Sequence, residues 1–146
     1  MMKQYAMLLP VLLWPGCIIA ISCMESWLKF RAPGVTLPVG LGIGKLVFNA
    51  LNKMEWIFAL MIVAAYFFNK SSIDSGSIIL FGIVAGILAL QTVWLLPALD
   101  SRATEVIHGK TLPPSYLHWY FIGGEVIKLG SLATLGFRLF KIFVAG

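Results

Sequence analysis

Residues Glu105 to Glu125 form a near-palindrome about a Pro113-Pro114 pair, with Glu105 and His108 before it and His118 and Glu125 after it. Carboxylates and imidazoles together are the donors that hold zinc, iron or copper in mixed nitrogen and oxygen sites. Glu105-Val-Ile-His108 has the Glu-x-x-His spacing by which helical bundles hold carboxylate-bridged metal pairs. The second half does not repeat it, because His118 precedes Glu125 by seven residues. The metal chemistry to expect is therefore a single site of Glu105, His108, His118 and Glu125, which would make the chain a metal-dependent membrane enzyme. The competing reading pairs charges along each helix: Glu25 with Lys29, Arg102 with Glu105, Glu125 with Lys128. His108 and His118 would then sit at headgroup level with Tyr116 and Trp119.

Glu55 has no basic residue three or four positions away, and it shares a helix face with Asn52. A carboxylate facing lipid costs about 3 kcal/mol on insertion scales, so Glu55 is expected to point into a bundle. It is the foremost candidate for contact with a substrate, ion or proton. Its bland alternative is an interhelical hydrogen bond to Gln91, His118 or Lys128. The expected ligand or ion site is Glu55, Asn52, Glu125 and His118. In it the two carboxylates supply charge, His118 ligates or shuttles a proton, and Asn52 orients the solute.

The elements that must carry these groups are set by composition. Of 146 residues, 60% are hydrophobic and 12% charged, with a mean hydropathy of +0.92. A soluble domain carries about twice that share of charge. The expected fold is an all-α integral membrane protein, with four transmembrane helices in an up-down-up-down bundle. The helices are expected over about 5–28, 46–68, 75–109 and 115–144, since a span takes roughly 20 apolar residues. Continuous apolar runs, not alternation, favour helices over a barrel.

Each helix carries one glutamate: Glu25, Glu55, Glu105 and Glu125. Alternating directions place all four toward one membrane face, where a shared polar layer is geometrically reasonable. Pro10 and Pro15 predict a kink in the first helix. The stretch Gly40-Leu41-Gly42-Ile43-Gly44 lacks the third glycine and preceding strand of a phosphate loop. It is read as a connection dipping into the interface or a loose first turn. Gly82 and Gly86 give a GxxxG pattern suited to close helix approach, and Gly109 marks a helix stop. Cys17 and Cys23 lie on different faces and are expected as packing residues. The apolar run passes Cys17 without a cleavage box, so the first segment is expected to be a retained span, not a signal peptide.

The formal charge of +5 calls for anionic lipid and not for nucleic acid. Four basic residues stand on each side (Lys29, Arg31, Arg102 and Lys110 against Lys3, Lys70, Arg138 and Lys141), and Lys45 tips the odd loops toward the cytoplasm.

MESWLKFRAP followed by GLGIGKLVFNALNKMEW resembles an uncharacterised group of bacterial four-helix membrane proteins. LLPALDSRATEVI followed by LHWYF distantly resembles the transmembrane protein 205-like domain at Pro97, Arg102 and His118, with Glu125 a departure from it. The resemblances imply a four-helix membrane fold and a part in export or metal tolerance; the four spans themselves put both termini on one side, and the expected location is the bacterial inner membrane. Asn52-Lys53-Met54-Glu55 is similar to the Asn-x-x-Glu of glutathione-dependent membrane enzymes, without their arginines. The expectation is a small membrane protein that binds or translocates a solute, proton or metal ion, alone, as a homo-oligomer or in a larger membrane complex. The alternatives are an accessory subunit without chemistry and the metal enzyme above.

Overall fold

The computed structural model describes residues 2–69 and 73–144, with the side chains of residues 2–4, 69 and 144 left aside. Lys70 and the side chain of Lys3, both weighed for sidedness, lie outside the described residues. Among the described residues there is no strand, and the chain forms four helical rods. The first comprises α1 (Met2–Ile18), a π-helical stretch (Ile19–Glu25), the short α2 (Ser26–Leu28) and a 3₁₀ turn (Lys29–Arg31). The second is α3 (Leu37–Asn69). The third is α4 (Ser75–Leu90), a π-helical turn (Gln91–Leu95) and α5 (Leu96–Ile107), and the fourth is α6 (Leu117–Val144). Three stretches, Tyr5–Arg31, Leu37–Phe68 and Ser75–Ile107, are long and apolar enough to cross a membrane. The fourth rod matches them in length, but His118, Glu125, Lys128 and Arg138 lower its apolar character.

Side-chain pairs fix the directions. Trp14 meets Glu55 while Phe30 lies beside Gly40, so rods one and two are antiparallel. Thr92 meets Asn52, Asp100 meets Asn49 and Thr104 meets Lys45, so rod three reverses rod two. Arg138 meets Asp74 and Glu125 meets Gln91, so rod four reverses rod three. Apolar side chains such as Leu46, Leu60, Phe67, Val93 and Phe137 face outward, as lipid contact requires. Inside, Val11, Phe58, Ile62, Leu88 and Leu135 form one core drawn from all four rods.

Two features differ from the reading of the sequence. The second rod begins at Leu37, not near 46: of the two readings of the glycine run, connection or first turn of the helix, it is helix. Its glycines let the first rod close in. A Cβ on Gly40 would lie 2.1 Å from the Phe30 ring, and one on Gly44 would lie 3.1 Å from Lys29 Nζ. The other difference is at Glu105, which pairs with Lys110 at 3.6 Å. Arg102 instead donates to the Pro113 carbonyl at 2.5 Å, holding the linker to α5.

The rod ends follow ordinary capping rules. Gly109 has φ +85°, and its N–H donates to the Val106 carbonyl, closing α5. Gly82 and Gly86 face away from the other rods: a Cβ at either would meet nothing within 4 Å. Asp74 caps α4, accepting from Gly76 N at 3.1 Å and Ser77 Oγ at 2.5 Å, with Arg138 beside it. The Ser77 hydroxyl and the Arg138 guanidinium lower its pKa to about 2. A folded-state value below the ordinary one gives stability that is present above pH ~4 and lost as pH falls toward 2. Asp74→Asn should therefore lower the melting temperature at neutral pH, and the gap to wild type should close between pH 4 and 2 in thermal scans.

The π turn at Gln91–Leu95 has a local cause. The Pro97 ring crowds the carbonyl of Val93 and offers it no N–H, so the ladder widens just before it. No proline follows closely on the first-rod stretch Ile19–Glu25, which carries Ser22.

Candidate functional site

The middle of the bundle holds ions. Lys128 is completely buried, and Glu55 and Glu125 are each 2% exposed. Lys128 Nζ lies 2.7 Å from Glu125 Oε1 and donates a short hydrogen bond to Glu55 Oε1. Trp14 Nε1–H donates to the same Glu55 oxygen at 2.8 Å. Gln91 Nε2–H donates to Glu125 Oε1 at 2.8 Å, and Ser22 Oγ–H donates to Glu125 Oε2 at 3.0 Å. All four rods thus contribute, and Ser22 and Gln91 both come from π-helical turns that interrupt regular helix. Along α3, Glu55 lies about 27 Å from Leu37 and about 20 Å from Phe68, at ~1.5 Å rise per residue. The cluster is therefore deep within the apolar length of the bundle.

Its electrostatics are unbalanced. Two carboxylates flank one ammonium, a formal charge of −1 when all three are ionised. A low-dielectric interior tolerates matched ion pairs far better than a surplus charge. Gln91, 1% exposed, also keeps its Oε1 without a donor among the described residues. Gln91 is held closely: a Cβ on Gly124 would lie 3.1 Å from its Nε2.

Two cavities approach the cluster. One, of about 170 Å³, lies where rods one and three end and rods two and four begin, among Lys29, Lys45, Asp100, Phe48, Phe121 and His118. The other, of about 50 Å³, is lined by Phe48, Phe121 and His118 again, and by Ser22, Cys23 and Glu125.

No family model, curated protein or solved structure matches this chain.

Of the residues singled out in the sequence, Glu55 and Glu125 meet through Lys128. His118 stands on the cavity wall that leads to Glu125. Asn52 is elsewhere: its amide donates to Thr92 Oγ1 at 2.9 Å, where Trp56 also donates. That places it on the rod-three side of α3 and corrects its assignment to orient a solute beside Glu55.

The mononuclear metal set is also corrected. Among the described residues no three of His, Cys, Asp and Glu gather as metal ligands do. Glu105 is engaged by Lys110 near the end of α5, and His108 is the exposed C-cap of that helix. Glu125 is enclosed by Lys128, Gln91 and Ser22. The palindrome fails because α5 closes at Gly109 and the linker separates its histidine from that of α6. Elemental analysis of detergent-purified wild type and His118→Ala should accordingly give no stoichiometric zinc, iron or copper in either. A metal lost only in the variant would restore the site.

Of the intrahelical pairs, Glu25 with Lys29 forms at 3.2 Å and Glu125 with Lys128 at 2.7 Å. Trp14 and Ser22 were not singled out in the sequence. An indole in the middle of an apolar helix was the available signal, since its N–H needs an acceptor.

Proposed function

We propose that this is a small polytopic membrane protein that binds and passes a small cation, a proton or monovalent ion, by way of Glu55, Lys128 and Glu125. One observation carries the reading: the second carboxylate around a single buried ammonium. A purely structural pair needs one acid and one base. Here the third ionisable group leaves room for one exchangeable positive charge, at a depth where surplus charge is expensive. The fourth rod then crosses the bilayer with the others, Glu125 and Lys128 turned inward and Arg138 and Lys141 exposed toward its far end, and four alternating spans put both termini on one side. The outward apolar surface supports the bilayer as the protein's surroundings.

An accessory subunit, whose triad only fixes helix pairing, is the competing reading. Proteoliposomes carrying a trapped pH dye and an imposed membrane potential separate the two. Wild-type vesicles should acidify faster than empty ones, and vesicles with Glu125→Gln should not. Equal rates in all three, with protons and then with sodium or potassium, would leave the accessory role.

A further inference from the structure

The two cavities share Phe48, Phe121 and His118, and the inner one ends on Ser22 and Glu125. The outer one is walled by Lys29 and Lys45 at one end of the bundle, and the inner one, bounded also by the exposed Cys23, Ile122 and Val126, meets the triad at Glu125. Beyond the triad the described interior is apolar. Val11, Phe58, Ile62, Leu88 and Leu132, all on the far side of Trp14, Glu55, Gln91 and Lys128, are closely packed core. The Phe48 and Phe121 rings, which line both cavities with His118, meet edge to face, with centroids 5.4 Å apart at 86°.

The size of the inner space limits what can pass. About 50 Å³ holds roughly one or two waters, whose share of liquid volume is ~30 Å³ each. Such a water would have Ser22, His118 and Glu125 as polar neighbours. The Glu125 oxygens already accept from Gln91 and Ser22 and face Lys128, and no second carboxylate lines that space. A metal cation wants a shell of several oxygens. A proton needs one lone pair.

We infer that the cargo is the proton and that it reaches Glu125 from one end only, through the Lys29–Lys45 cavity and by way of His118. This rests on the function proposed above. A neutral imidazole accepts on one ring nitrogen and donates from the other. A proton taken from cavity water therefore leaves the other nitrogen for Glu125, directly or across one water, and the triad goes from −1 to neutral. The charged groups facing His118 across the outer cavity are Lys29, held by Glu25, Lys45, which donates to Thr104, and Asp100, which accepts from Asn49; across the inner one it faces Glu125.

Two measurements on the full chain in bilayers test this. In a Cys17→Ser background the native Cys23 reports on the inner cavity. In a background with both cysteines replaced by serine, Ser26→Cys reports on the outer cavity and Ala59→Cys on the core. A membrane-impermeant, charged methanethiosulfonate should modify Cys23 and Ser26→Cys from the same single side, and Ala59→Cys from neither. Modification of Cys23 from the opposite side, or from neither, overturns the route.

The second readout is the infrared C=O band of protonated carboxyl, assigned by its loss in Glu125→Gln. After a pH jump, His118→Ala should slow its appearance on the order of 100-fold, and added imidazole should restore it. An unchanged rate overturns the relay and leaves the proposed function standing. No proton-dependent band from either Glu55 or Glu125 overturns proton carriage itself, whatever the labelling shows.

Discussion

Lys128→Met is expected to destabilise the detergent-solubilised protein by about 3–5 kcal/mol, because it strips the shared cation from two buried carboxylates. Methionine fills most of the aliphatic volume, so the loss is electrostatic and not a cavity effect. Trp14, Gln91 and Ser22 would remain as neutral donors, too few to hold two negative charges in that interior. Thermal unfolding followed by circular dichroism measures the effect. The decisive control is Lys128→Met combined with Glu55→Gln and Glu125→Gln, which removes every charge at once. It should recover most of the lost stability, since a buried ion cluster can often be replaced by uncharged groups at little cost. If Lys128→Met melts with wild type, the three groups do not form one electrostatic unit and the cluster cannot hold an exchangeable charge.

Much of the architecture was legible because lipid removes options. Backbone groups must be satisfied within each segment, so apolar runs read as helices. The inward aim of Glu55 followed from the same cost. The start of α3 was not legible: glycines at alternate positions look like a flexible link until Phe30 and Lys29 are seen to occupy the space that side chains would need. The hydrogen-bond partners were legible mainly within a helix; across helices, Lys128 stood among the partners named for Glu55 and is the one it meets. Spacing found Lys128 for Glu125 and Lys29 for Glu25, but Ser22 reaches Glu125 through a π-helical turn that no periodicity announces. Asn52 misled because a shared face on α3 spans contacts to different rods: Thr92 takes the amide, while Trp14 and Lys128 take Glu55. The Glu105–Glu125 palindrome misled for a related reason. Symmetry in sequence about a turn does not survive when one arm ends in a C-cap and the other begins after an extended linker.

Glu125→Gln is expected to abolish cation flux while leaving the protein at least as stable as wild type. Flux should fall about 100-fold or more, the range in which loss of a positioned proton donor or acceptor is felt. Stability should hold because the change leaves one carboxylate, Glu55, opposite one ammonium, Lys128. It brings the cluster from a formal −1 to zero, and glutamine retains an oxygen that can accept from Ser22 or Lys128. Glu55→Gln should likewise stop flux, since it too leaves a matched pair that needs no further cation. Glu125 lines the inner cavity, whereas Glu55 lies behind Trp14 and Lys128. Both variants should lose proton uptake at the accessible end, Glu125→Gln for want of the acceptor and Glu55→Gln because Glu125 is then matched to Lys128 with no surplus charge to neutralise. Flux in proteoliposomes set beside melting temperature reads both halves of the expectation. Loss of stability with flux unchanged would mean that the surplus carboxylate serves helix pairing. Loss of flux with stability kept is the pattern of a site whose imbalance is its function, since groups held for a task commonly lower the stability of the fold that holds them.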